Sequence, residues 1–228
     1  MRRVDGRAVF AIDPCSQGES SKTHERNSPE GRAGDIEALQ HRAGDTSVVL
    51  VGWSQGVQVI AAYVERYGTA RIAGLVWVDS ALAIGTKPIA QDPAGVTQLL
   101  QRVAILAQYP QEYIGGMHDA SQAQPGAAAE RSRYIALSRK TPADISLGML
   151  VTDLLTVDRT PVLEKIDKPL LVLASAASDE LEAQRAIATR VPGARIVVVE
   201  NAGHAVFLDQ PDVFSGELGK FLADLDRR

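Results

Sequence analysis

Ser54 stands in Gly52-Trp53-Ser54-Gln55-Gly56, a G-x-S-x-G pattern between the apolar run Val48-Val49-Leu50-Val51 and a helix-period segment beginning at Gln55. A serine on a tight strand-to-helix turn is pushed out above a sheet, and small residues two before and two after it let neighbouring backbone pass. Gly52 and Gly56 meet that demand. A serine hydroxyl is a poor nucleophile at neutral pH and needs a base within hydrogen-bond reach. Of the four histidines, His24 falls in a polar loop, His41 at the end of a predicted helix and His118 after Gly115-Gly116, and each reads as a solvated surface residue. His204 differs: Asn201-Ala202-Gly203-His204 follows the last predicted strand and precedes the last predicted helix, which puts it at the same sheet edge as Ser54. The pair suits nucleophilic attack on an acyl carbon, with His204 moving the proton and the Gln55 backbone N–H facing the oxyanion.

The elements that must position these groups follow from periodicity. Five short apolar runs rich in branched residues, at 7–13, 47–53, 72–80, 169–175 and 194–200, read as strands. Their near-continuous apolar character suits parallel strands covered on both faces. Helical segments at 30–42, 55–67, 180–190 and 211–226 alternate with them, so the expected class is α/β, a mostly parallel sheet flanked by helices. Between the third and fourth strands lies a stretch too long for an ordinary connection, with helical segments at 96–108, 127–139 and 143–157. It reads as a helical cap insertion, 84–167, over the carboxyl ends of the strands, leaving 1–83 plus 168–228 as the core. The segment 16–34 reads as an exposed loop.

Composition narrows the function classes. With 228 residues, 45% apolar and 23% charged, the chain is of ordinary globular type, and a net charge of −4 provides no basic field for nucleic acid. The single cysteine, Cys15, has no disulfide partner within the chain, and no His/Cys/carboxylate cluster has metal-ligand spacing. No metal and no organic cofactor is expected. The longest apolar runs fall far short of the roughly 20 residues that span a bilayer. Arg2 and Arg3 start like a signal sequence, but the apolar segment that follows is too short for one, so a cytoplasmic location is expected.

Val9-Phe10-Ala11-Ile12-Asp13 with Gln17-Gly18-Glu19-Ser20, the elbow around Ser54, Leu75-Val76-Trp77-Val78-Asp79-Ser80, and Gly203-His204-Ala205 with Gln210-Pro211 resemble the α/β-hydrolase superfamily over essentially the whole chain. The resemblance is to its small cap-bearing esterases and cofactor-free haloperoxidase-like enzymes, and it implies a nucleophile, acid, histidine order. Matching Pro169-Leu170-Leu171-Val172-Leu173 to the family strand puts the usual acid position at Ser178, one residue short of Asp179. Asp179 is therefore the first choice of acid, Glu180 is adjacent, and Asp79, where some relatives place theirs, is the rival.

The implied activity is a serine hydrolase acting on small carboxylic esters through an acyl-enzyme. Serine at the elbow argues against the epoxide hydrolase and haloalkane dehalogenase branches, which use aspartate there. Trp53, Leu99, Leu100, Ile105, Met117, Met149 and Leu150 are candidates to line an apolar acyl pocket. Gly68-Thr69-Ala70-Arg71-Ile72-Ala73 also looks like the perhydrolase and haloperoxidase group, although Trp-Ser-Gln at the elbow lacks that group's usual residues. A third reading is a catalytically impaired remnant or small-ligand binder. Ser16 replaces a family loop glycine. In the family about three more strands and a second oxyanion-donor loop precede the segment matching 7–13. The expectation is thus a shortened amino terminus, with the strand before Ser54 left unpaired on one side.

Overall fold

The computed structural model describes residues 4, 6–42, 44, 46–82, 93–154 and 158–227. Four parallel strands, β1 (Val48–Trp53), β2 (Ile72–Val78), β3 (Leu170–Ser175) and β4 (Arg195–Val199), form one sheet in the order β1-β2-β3-β4. The central strands are apolar throughout because alternate residues face two different cores. Leu75, Trp77, Leu170 and Val172 pack with α1 (Pro29–Arg42), α2 (Gln55–Tyr67) and α7 (Leu181–Arg190). Val76, Val78, Leu171 and Leu173 pack on the other side with Leu218, Phe221 and Leu222 of α9 (Pro211–Asp226). Pro211 starts α9, where its fixed φ suits a first turn and its missing N–H costs nothing.

Between β2 and β3 come α3 (Pro93–Gln108), α4 (Pro110–Ala120), α5 (Ala128–Ser138) and α6 (Ala143–Leu154), then a 3-10 turn, Thr160–Lys165. The expected boundary at 83 and 84 and the last residues of the helix expected to reach 157 lie outside the described residues. The helical segments expected from the sequence do not include α4. The helix runs through Gly115-Gly116 and packs against α3 and α5, with the Arg131 side chain of α5 lying over Gly115.

The expected strand at 7–13 does not form. Among the described residues β1 pairs with β2 alone, and 8–13 forms no helix or strand. Apolar, β-branched composition makes a strand only where a neighbour supplies the hydrogen bonds. Phe10 is left 70% exposed and Val51 of β1 43% exposed. The expected open loop is tighter than its composition suggests. Ser16 is fully buried, its N–H bonded to Ser21 O and its hydroxyl to Thr23 O, and α1 already begins at Pro29.

Candidate active site

Ser54 sits between β1 and α2 with φ 53° and ψ −124°, a region costly for a residue with a Cβ. The turn is held by the Ser54 N–H bonded to Val78 O of β2 at 3.1 Å and the Val57 N–H bonded to Ser54 O at 2.9 Å. Gly52 is required as expected, since a Cβ there would lie 2.6 Å from the Gly56 carbonyl carbon and oxygen and 2.7 Å from Ile60. Gly56 is different: a Cβ on it would meet nothing within 4 Å, so the crowding is at Gly52 alone and the expected need for a small residue at 56 is corrected. Gln55 is the first residue of α2, so its backbone N–H belongs to the helix start, where amides lack intrahelical acceptors. Its side-chain carbonyl accepts from the buried Arg32 guanidinium.

The carboxylate beside the histidine is Asp79. His204 Nδ1 donates to Asp79 Oδ2 at 2.8 Å, while Asp79 Oδ1 accepts from the Ser175 N–H at 2.9 Å and from Gln184 Nε2 at 3.1 Å. Asp79 is 2% exposed and follows β2 with φ 44°. Burial pushes its pKa up, but the hydrogen bonds from His204, Gln184 and the Ser175 amide outweigh burial and hold it below the usual value. The first choice of the sequence, Asp179, lines the same cavity but among the described residues makes no hydrogen bond to His204. Glu180 is engaged elsewhere, its Oε2 accepting the Ala81 N–H at 2.7 Å. The geometry therefore corrects the choice of partner for His204 from Asp179 to Asp79.

His204 is fixed from below by the residue next to Ser54. The Trp53 indole N–H donates to His204 O at 2.8 Å, the two rings lie 5.1 Å apart, and Phe207 meets the indole edge-on at 5.1 Å. Ser54 and His204 open onto one cavity, although among the described residues no hydrogen bond joins the hydroxyl to the imidazole. Ser54, Asp79 and Asn201, which follow β1, β2 and β4, all have positive φ, so strained backbone gathers at one edge of the sheet.

Two contributors escaped the sequence reading. Ser175 gives its N–H to Asp79 and its hydroxyl to Ala202 O at 2.6 Å, tying the acid to the histidine loop. Gln184 is fully buried on α7. The available signals were a polar residue ending the apolar run Leu170–Ser175, and a glutamine one turn before the apolar Ile187.

The cavity measures about 2260 Å³, far above the usual ligand-site range because it continues along the open flank of β1 past residues 7–14. Trp53, Met117, Met149 and Leu150 line it, whereas Leu99, Leu100 and Ile105 do not. His24 and His41 are exposed as expected. His118 is not: it is 5% exposed, with its ring 5.0 Å from Tyr134, because α4 turns it toward α5. Among the described residues no group of His, Cys, Asp or Glu is arranged to hold a metal ion, and no helix is long and apolar enough to cross a membrane.

The sequence profile of the alpha/beta hydrolase family matches residues 2–217. Among solved structures the chain is similar to an esterase from Exiguobacterium antarcticum, with 18% identity and a TM-score of 0.83 over 93% of this chain and 80% of that one. It is also similar to a bromoperoxidase from Bacillus anthracis, with 19% identity and a TM-score of 0.80 over 92% and 79%. A thermophilic esterase from Thermogutta terrifontis gives 20% identity and a TM-score of 0.76 over 93% and 78%.

Proposed function

The chain belongs to the alpha/beta hydrolase family, and from that premise we propose that it is a serine esterase cleaving small carboxylic esters through an acyl-enzyme. Ser54 Oγ attacks the ester carbonyl carbon while His204 Nε2 takes the hydroxyl proton, and the oxyanion forms against the Gln55 backbone N–H. The intermediate collapses as His204 returns the proton to the departing alkoxide. Water, deprotonated by the same imidazole, then attacks the acyl carbon and frees Ser54. Asp79 in place of Asp179 orients the imidazole through Nδ1 and stabilises the imidazolium without itself taking the proton.

The observation that carries this reading is the 2.8 Å Asp79–His204 pair at the sheet edge where Ser54 sits in its strained turn. Met117, Met149 and Leu150 give the helical insertion the role of a cap that, with Trp53 of β1, presents an apolar wall to the acyl chain. The test is hydrolysis of p-nitrophenyl acetate and butyrate by wild type and Ser54→Ala, each folded by circular dichroism. Turnover that vanishes in Ser54→Ala is expected. Folded wild type without serine-dependent turnover overturns the proposal and favours a ligand-binding role for the cavity.

A further inference from the structure

We propose that Asp209 is a positioning residue that fastens the helical insertion to the loop carrying His204, so that the imidazole keeps its place beside Asp79 only while the insertion is docked. The catalytic part of this inference rests on the esterase reading; the structural part does not.

Asp209, the last residue of the short α8 (Val206–Asp209), turns one oxygen onto two segments distant in sequence. Its Oδ2 accepts the Gly203 N–H at 2.7 Å and the Ala123 N–H at 2.9 Å. Gly203 immediately precedes His204; Ala123 lies in the loop after α4. Two further contacts join the same loops. The Ala205 N–H donates to Ser121 O at 2.6 Å, and a Cβ on Gly203 would lie 2.8 Å from Gln122 C and Ala123 N and 2.9 Å from Ser121 O. Only a glycine admits so close an approach of two backbones. The Ser121 end of the contact is braced in turn by its hydroxyl on His118 O at 2.7 Å.

His204 is thus held from two sides. Trp53 grips its carbonyl from the elbow, while on the other side Ser121 O of the insertion holds the Ala205 amide and Asp209, itself tied to the Ala123 amide, holds the Gly203 amide. A carboxylate accepting two backbone N–H groups makes charge-assisted bonds, stronger than neutral ones and sensitive to loss of either donor. Asp209 touches no reacting atom. Its effect runs through the position of the imidazole, where a displacement of about 1 Å can cost ~10²-fold in rate.

The experiment compares wild type, Asp209→Ala, Asp209→Asn and Ala123→Pro, which removes the insertion's donor but leaves Asp209 and Gly203 intact. Amide hydrogen exchange is read over 121–124 and 203–206, together with kcat and KM for p-nitrophenyl butyrate. In Asp209→Ala, exchange is expected to quicken in both loops, with kcat reduced about tenfold and KM little changed. Asp209→Asn, which keeps an acceptor oxygen, is expected to recover most of the loss. Ala123→Pro is expected to quicken exchange at Ala205, on the far side of the contact. If Asp209→Ala loosens only 203–206, or Ala123→Pro leaves Ala205 protected as in wild type, the coupling is refuted and Asp209 serves its own loop alone. The exchange comparison decides this even if wild type shows no serine-dependent turnover, an outcome that overturns only the esterase reading.

Discussion

The two oxygens of Asp79 face different partners, and that division identifies which carboxylate matters. Oδ1 is occupied by the Ser175 amide and Gln184, which leaves Oδ2 aimed at His204 Nδ1. Asp79→Asn is therefore expected to lower kcat by roughly 10³–10⁴, because an amide can stabilise the wrong imidazole tautomer. Asp179→Asn should stay within about twofold of wild type, since among the described residues Asp179 makes no hydrogen bond to His204. Equal losses in the two variants would remove Asp79 from the role given to it. Acid stability carries a second signature. A carboxylate held below its usual pKa stabilises the fold above the unfolded value, near 4, and that contribution is lost as pH falls through the lower folded value. Wild type should accordingly lose stability between about pH 4 and lower values, and Asp79→Asn should lose less over the same interval, as urea midpoints at stepped pH would show. The sequence left this carboxylate open for a physical reason. Asp79, Asp179 and Glu180 are alike in type, and what separates them is the Ser175 amide and Gln184, 96 and 105 residues further along the chain than Asp79.

Elements whose signal is local were legible: the helices 55–67 and 211–226 were read with the bounds that the structure gives them, and four of the five expected strands form. The fifth, at 7–13, has the composition but not the neighbour, and ladder hydrogen bonding is not written in a single segment. The insertion between β2 and β3 is legible from length, whereas α4 within it is not, because Gly115-Gly116 lower its helix propensity and packing against α3 and α5 offsets that loss. The strand-to-helix turn at Ser54 was legible as a pattern, yet the structure distributes the constraint unequally between its glycines. Gly52→Ala should destabilise by about 1–3 kcal/mol or more, because the contacted atoms are Gly56 backbone that cannot swing away. Gly56→Ala should leave the melting temperature within about 2 °C, its Cβ meeting open space. Thermal unfolding of the two variants checks the contrast, and similar losses in both would show that the turn needs small residues on both sides after all.

At the scale of the molecule, the consequential feature is the open side of the sheet. Among the described residues the nucleophile-bearing strand is also the edge strand, and its sequence Val48-Val49-Leu50-Val51-Gly52-Trp53 carries none of the charges or prolines that usually keep an edge from pairing with other chains. Val51 is 43% exposed there, and Val9, Phe10 and Ile12 of the adjoining cavity wall are 42%, 70% and 41% exposed. A net charge of −4 adds only weak repulsion between molecules at moderate salt. The purified chain should therefore self-associate as its concentration rises, with β1 as the contact. Val51→Lys places a charge on the exposed position of that edge and should shift light-scattering mass toward the monomer at equal concentration, while Leu100→Lys, which charges the still more exposed Leu100 of α3, should not. If both lysines act alike, the association is a general consequence of apolar surface and not of the edge. If neither acts and wild type is already monomeric at high concentration, the flank of β1 is closed in solution by a contact within the same molecule.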